Sequence, residues 1–293
     1  MYNEKRFIDK VLTFKLFAAI PLFAFVMVVV VPFFLGLYMT FTNMGTVVSF
    51  EFIGLDNYAR AFASQRFWSS FGITFRYVFF TVILANAFGL MLALLVTSGI
   101  KGQNAFRVGF FTPNLIGGII LGYIWQFLFI RMLPGLGQSL SIPFISSSWL
   151  AHPTTAFWAL VVVSVWQQSG YVMLIYIAGL MGVDKSLLEA SSLDGAGYLR
   201  KLFTIKIPLM IPAFTICLFL TLRNSFIIYD LNLALTDGGP FLSTELITMA
   251  IYNEAFTNRN FGVAQVQSLI LFIVIAAATI MQVTFLKRKE VEL

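Results

Sequence analysis

A small set of polar side chains interrupts the long apolar runs of this sequence: Gln167, Gln168 and Tyr171 in one run, Arg223 and Asn224 in another. Such groups are costly inside a membrane and usually turn toward a bundle interior or a water-filled path. On a helix Gln168 and Tyr171 share a face at i, i+3, and Gln167 and Tyr171 at i, i+4. The chemistry this allows is recognition of a solute with hydroxyls. Tyr171 stacks on its apolar face, while the amides and Arg223 hydrogen-bond to it. Asn86 in an earlier run, and Gln265, Gln267 and Ser268 in the last, are expected to line the same cavity. The competing reading is architectural: the glutamines bond between helices, and Arg223 snorkels outward or pairs with Asp230. An uncompensated arginine at mid-span costs about 2.5–3.5 kcal/mol on insertion scales.

A second constellation lies between apolar runs: Glu189-Ala190-Ser191-Ser192-Leu193-Asp194-Gly195-Ala196-Gly197, then Ile205-Lys206-Ile207-Pro208 and Pro212. Leu187–Phe203 reads as two short helical pieces broken near Asp194-Gly195, because Asp favours helix ends and Gly tolerates dihedrals that other residues avoid. After the break, Leu199, Leu202 and Phe203 fall at i, i+3 and i+4 and form one apolar face. Ala190, Gly195, Ala196 and Gly197 are small enough for another protein's backbone to approach, Arg200 and Lys201 flank them, and Glu189 is free to cap or to pair with a partner arginine. This is docking chemistry; the alternative is a solvated loop that only reconnects spans.

The elements that position these residues follow from composition. The 293 residues are 59% hydrophobic and 11% charged, whereas soluble domains carry about 25% charged residues. The chain is therefore expected to be an all-α polytopic membrane protein, a single domain over 1–293. Runs long enough to cross the bilayer, at about 20 residues each, are Leu16–Phe41, Ser69–Thr97, Val108–Ile130, Thr154–Met181, Pro208–Tyr229 and Phe261–Leu286. Pro21, Pro32 and Gly36 are expected to kink the first. Its length and lack of a small-residue cleavage site favour a retained span over a signal peptide.

Lys5, Arg6, Lys10, Lys15, Lys101, Arg107, Lys185, Arg200, Lys201, Lys206, Lys287, Arg288 and Lys289 fall in the two tails and the 98–107 and 182–207 loops. The positive-inside rule puts these segments, both termini included, in the cytoplasm. The net charge of +6 is read as this orientation signal, not as nucleic-acid affinity. The outward segments are 42–68, 131–153 and 230–260. The first, with Phe50, Phe52, Tyr58, Phe62, Phe67 and Trp68, is suited to lie along the interface, and Trp149 and Trp158 suit an aromatic belt. Cys217 is the only cysteine and His152 the only histidine, so an intrachain disulfide is excluded and a metal site is not expected.

The Glu189–Pro208 segment resembles the "EAA" loop of bacterial ABC-importer permeases. Of that pattern Glu189, Ala190, Gly195, Ile205 and Pro208 match, while Ser191 stands for the second alanine and Ile207 for leucine. Leu235-Thr236-Asp237-Gly238-Gly239-Pro240 with Thr244, Ile251-Tyr252 and Ala255-Phe256 resembles an outward loop of the carbohydrate-type members. Phe52-Ile53-Gly54-Leu55-Asp56-Asn57-Tyr58, Trp166 with Gly170-Tyr171, and Ala178-Gly179-Leu180 also fit. Together these resemble maltose- and glycerol-phosphate-type permeases of the bacterial inner membrane.

The resemblance implies a six-span type I importer permease whose 183–207 loop is a coupling helix, with Glu189, Ala190, Ser191, Asp194, Gly195 and Ala196 meeting an ATPase. It implies a second homologous permease, two ATP-binding subunits carrying ATP and Mg, and an extracytoplasmic solute-binding protein that delivers a sugar or oligosaccharide. Alternating access follows from the same resemblance. No GxxxxGK[ST] loop, Gly-x-Ser-x-Gly elbow or His-Glu-x-x-His helix occurs, so neither ATP hydrolysis nor other catalysis is expected on this chain. An ion-coupled secondary transporter is the main rival; it needs a carboxylate deep in a span, and no Asp or Glu falls there. A channel or membrane enzyme explains the patterned loop less well.

Overall fold

Neither a charged residue nor a proline interrupts Tyr77–Val96, and a single helix, Gln65–Thr97, runs through it. The computed structural model describes residues 17–43 and 51–288; the expectations placed on Lys5, Arg6, Lys10, Lys15, Leu16, Phe50 and Lys289 lie outside them. In chain order the elements are α1 (Phe17–Met39), a hairpin of β1 (Thr42–Asn43) and β2 (Glu51–Phe52), α2 (Asp56–Ala63), α3 (Gln65–Thr97), α4 (Gln103–Phe111), α5 (Gly118–Ser139) and α6 (Pro153–Met181). Then follow α7 (Lys185–Leu193), α8 (Tyr198–Leu209), α9 (Ile211–Phe226), α10 (Asp230–Thr236), α11 (Ile247–Tyr252) and α12 (Phe261–Lys287). Among the described residues five helices are long and apolar enough to cross a membrane, and six if the bent pair α8–α9 counts as one span.

Two runs shift from their expected bounds. The third, expected over Val108–Ile130, is split. Pro113 opens a 3-10 turn, Ile116 and Gly117 are extended, and the spanning helix starts at Gly118 and continues to Ser139. The fifth, expected over Pro208–Tyr229, bends by 69° between Leu209 and Ile211. There Pro212 cannot donate to the residue four back.

Three other prolines are absorbed without a break. The π-helical segments Val26–Val30, Leu128–Met132 and Leu202–Lys206 end just before Pro32, Pro134 and Pro208. In each, the carbonyl four residues before the proline, where its ring would clash, lies within the wider turn.

The chain packs as two compact units. The smaller holds residues to Ser64 together with Ile251–Ile270. In it Asn57 Nδ2 donates to Thr40 O at 3.0 Å and Thr42 O at 2.9 Å, the Thr40 and Tyr58 hydroxyls meet at 2.9 Å, and Ala61, Val263 and Val266 form a core. The described part of the 42–64 segment is thus a pair of short antiparallel strands and a short helix.

In the larger unit α3, α6 and α9 form a tight block. Gly89 of α3 lies so close to α6 that a Cβ would sit 2.6 Å from Val172. Tyr77 donates to Ser164 at 2.6 Å. Asn86 does not line a cavity: it is buried, accepts from Tyr176 Oη at 2.8 Å and donates to Thr221 Oγ1 at 2.9 Å, so one amide pins all three helices. Cys217 is buried in the same core.

Candidate functional site

Where α5 begins and α9 ends, the chain leaves a cavity of about 330 Å³ lined by Asn114, Gly118, Gln167, Gln168, Asn224, Ile227 and Asp230, among others. Two of its walls exist because a helix breaks there, and the third is the unbroken α6 carrying Gln167 and Gln168. The extended Ile116–Gly117 step turns the Ile116 carbonyl out of the helical ladder, and Gln167 Nε2 satisfies it at 3.2 Å. Gln168 is 9% exposed, and its Oε1 has no hydrogen-bond partner. An unsatisfied buried acceptor costs about 1–3 kcal/mol, so Gln168 is an acceptor in want of a donor. On the far wall α9 ends at Phe226 and α10 restarts at Asp230, which places Asp230 in the lining.

The wall between α5 and α10 is thin because glycine makes it so. A Cβ on Gly118 would meet Asp230 Cβ at 2.9 Å, and one on Gly122 would meet Ala234 Cβ at 2.5 Å. Gly118 and Gly122 are one helical turn apart, the small-xxx-small spacing that lets apolar helices touch through their backbones.

The structure therefore brings together Gln167, Gln168 and Asn224 of the expected path and leaves out two others. Tyr171 is 38% exposed and outside the lining. Arg223 is also outside it; its Nη1 donates to Asn224 Oδ1 at 3.2 Å, and no ion pair joins it to Asp230. Gln265 and Gln267 belong to the smaller unit. Asn114 lies inside the expected third run, beside the break that Pro113 and Gly117 make, and was passed over; Asp230 lies one residue past the expected fifth run and entered only as a partner for Arg223. The Gly118/Gly122 spacing was a usable signal. A buried carboxylate does occur outside the spans: Glu245 is 1% exposed, held by Arg66 at 2.5 and 2.9 Å and by Ser70 at 3.3 Å. Among the described residues no three His, Cys, Asp or Glu converge as a metal site.

The second constellation is an exposed, well-capped turn. Asp184 caps α7 by accepting from Ser186 N at 2.9 Å. At the other end Gly195 has φ +74°, Ala196 N donates to Ser191 O at 2.9 Å and Gly195 N to Ser192 O at 3.1 Å. This is a Schellman stop, which wants glycine at the left-handed position. Ser191 is 9% exposed, and its hydroxyl turns back to Leu188 O. Lys201 Nζ closes the turn on Ser192 Oγ at 2.5 Å. Glu189, Ala190, Asp194 and Gly195 are exposed, and Glu189 makes no hydrogen bond or ion pair among the described residues. The expected apolar face is split: Leu202 turns inward at 7% exposure, while Leu199 and Phe203 remain outside with Leu193 and Tyr198. The π turn over Leu202–Lys206 rotates the following residues out of the 3.6-residue register.

A bundle of membrane-length helices with a polar cavity at broken helix ends, and a capped helical turn outside it, is the form of a transport-system permease. The chain belongs to the family of binding-protein-dependent transport system inner membrane components, whose profile matches residues 85–290, and it is a multi-pass membrane protein with the six-span type I fold. It is 38% identical to the "Probable starch degradation products transport system permease protein AmyD" of Thermoanaerobacterium thermosulfurigenes, covering 100% of both chains. It is 29% identical to the "Multiple sugar-binding transport system permease protein MsmF" of Streptococcus mutans, over 94% of this chain and 95% of that one. Its fold matches a chain of a bacterial ABC transporter for alginate import with a TM-score of 0.83 at 17% identity, over 97% of this chain and 99% of the other.

Proposed function

We propose that this chain is the permease subunit of an ATP-driven importer that passes a sugar or oligosaccharide across the bacterial inner membrane. The observation that carries the substrate class is the full-length relationship to AmyD, which is named for starch degradation products. The cavity's chemistry agrees: the side-chain amides and Asp230 in its lining suit hydroxyl groups. The solute would reach it from an extracytoplasmic binding protein, a partner that appears with the related alginate importer. Residues 1–293 act as one permease domain beside a second, homologous permease.

The α7–α8 element would dock on an ATP-binding subunit. Glu189, Ala190, Ser191, Asp194, Gly195 and Ala196 surround the cap, and Leu193, Tyr198, Leu199 and Phe203 offer exposed apolar area to a cleft. ATP and Mg belong to that partner, which supplies the hydrolysis. Both termini and this loop lie in the cytoplasm, following the basic residues. The link to the cavity is covalent and short. After α8 the chain bends at Met210, and α9, about 24 Å long at 1.5 Å per residue, ends beside Asn224. A push on α7–α8 therefore arrives at the cavity wall through one helix. In alternating access the ATP-bound state would favour the outward-facing arrangement by more than the resting bias inward.

The test is ATPase activity and labelled maltodextrin uptake by the assembly in lipid vesicles. Stimulation by binding protein, with uptake dependent on ATP, is expected. Uptake that persists without the ATP-binding subunits, driven by an ion gradient, would refute the reading.

A further inference from the structure

Along the seam between α3 and α6 lie two consecutive hollows that the transport reading leaves unused. The first, about 370 Å³, is lined by Ser69, Arg76, Phe80, Thr154, Trp158 and Ser243, among others. The second, about 520 Å³, is walled by aliphatic and aromatic side chains, Leu84, Ala87, Met91, Val162, Val165 and Trp166 among them. The helical register sets the two hollows in line on one seam, with the Phe80 and Trp158 rings meeting at 4.8 Å between them. Arg76, Phe80, Leu84, Ala87 and Met91 recur at steps of three or four on α3, and Thr154, Trp158, Val162 and Val165 do the same on α6, so each set forms one stripe.

The groove has a charged head and an apolar tail. Arg76 is exposed and its side chain makes no hydrogen bond or ion pair among the described residues. It immediately precedes the charge-free stretch Tyr77–Val96, which spans about 30 Å, the thickness of the hydrocarbon core. Arg76 thus stands at headgroup level with Trp158 beside it, the depth at which indole rings collect. Leu84 and Met91 lie about 12 and 22 Å further along α3, on either side of the mid-plane some 15 Å down. A sugar in the tail would lose its hydroxyls' hydrogen bonds; an acyl chain would not.

We propose that this groove binds an anionic phospholipid, its phosphate on Arg76 and the hydroxyls of Ser69 and Thr154, one acyl chain between α3 and α6. A lone cation at the boundary calls for a phosphate, and the tail excludes a free anion as the whole ligand.

The test uses the assembled importer, extracted in mild detergent and exchanged with vesicles of phosphatidylglycerol or phosphatidylcholine, with bound lipid counted by native mass spectrometry. Wild type should retain phosphatidylglycerol about tenfold over phosphatidylcholine, the scale of one charge-assisted phosphate contact. Arg76→Gln, a change at an exposed residue, should bring the two lipids level, and Ala87→Trp should lower retention of both. Equal phosphatidylglycerol retention by wild type and Arg76→Gln would overturn the proposal. So would displacement of the lipid by millimolar inorganic phosphate, which would make the site one for a free anion. A photo-crosslinker at Val162 that captures a partner permease in place of lipid would also overturn it, assigning the groove to protein.

Discussion

Gly122→Ala adds one methyl group where α5 crosses α10, and the geometry sets its cost. The new Cβ would lie 2.5 Å from Ala234 Cβ and 3.1 Å from Leu235 N. Carbon atoms settle at about 3.5–4.0 Å, so the helices must part by about 1 Å or α10 must tilt. Overpacking of this kind costs about 1–3 kcal/mol. One turn away, Gly118 packs against Asp230 and Leu231, and all three line the cavity, so the same displacement reshapes the polar site. Maltodextrin uptake by the vesicle-reconstituted importer should fall about tenfold, which corresponds to 1.4 kcal/mol at the transition state, and the melting temperature should drop by a few degrees. Gly135→Ala, on the same helix with nothing within 4 Å, should change neither. The double variant Gly122→Ala/Ala234→Gly returns the missing space and should recover most of the uptake. If Gly122→Ala behaves like Gly135→Ala, or the double variant is no better than the single, the close approach of α5 and α10 is not what shapes the cavity.

Gly195→Asp places a non-glycine residue at φ +74°, at a cost of about 1–2 kcal/mol; binding-protein-stimulated ATPase should fall with subunits still assembled, and Gly195→Asn, which tolerates this region, should lose less. Gln168→Leu and Asn224→Leu should abolish uptake in assembled complexes, while Tyr171→Leu, outside the cavity lining, should retain most of it. Arg66→Met strands Glu245, whose side chain is 1% exposed against 39% for Arg66. A broken buried pair costs about 3–5 kcal/mol, and half-exposure of Arg66 places this one at the low end; thermal melts should show recovery in Arg66→Met/Glu245→Met.

The spans α3, α6 and α12 were legible because each is a long apolar run bounded by polar residues, and the end of α7 because Asp194-Gly195 carries its stop signal; its start, capped by Asp184, falls two residues before the expected Leu187. Hydropathy failed at α5, since averaging passes over Pro113 and Gly117 as though they were ordinary apolar positions, and at α9, since it cannot tell a proline absorbed by a π turn from one that bends the chain. Pro208 is of the first kind and Pro212 of the second. Polarity inside spans found Gln167, Gln168 and Asn224, but which way a polar side chain faces is a tertiary fact. Asn86, chemically the equal of Asn224, spends its amide between Tyr176 and Thr221. Asp230 and Asn114 came from helix breaks, where backbone geometry and not composition builds the site.

The distribution of these contacts suggests which part would move during transport. α9 is pinned to α3 and α6 by the Asn86 node, by Cys217 against the Val172 carbonyl, and by Ala213, which a Cβ on Gly179 would meet at 2.8 Å. It cannot slide alone, so a push at α7–α8 displaces the three helices together. α10 follows α9 through only Ile227–Tyr229 and packs closely along α5, where Gly118 and Gly122 let the backbones approach and Gln126 Nε2 donates to Leu235 O at 3.4 Å, so α5 and α10 form a second body. Packed blocks that meet along a seam move as bodies rather than deform. The cavity lies on that seam: Gln167, Gln168 and Asn224 belong to the pinned block, Asn114, Gly118 and Asp230 to the other side. A solute bridging Gln168 and Asp230 would hold the seam closed, and a stroke that separates the blocks would release it. On this view Gly122 keeps the α5–α10 side tight, so that Gly118 and Asp230 present one fixed wall to the pinned block, and uptake in the Gly122→Ala variant and its Ala234→Gly rescue reads how far that wall shapes the cavity.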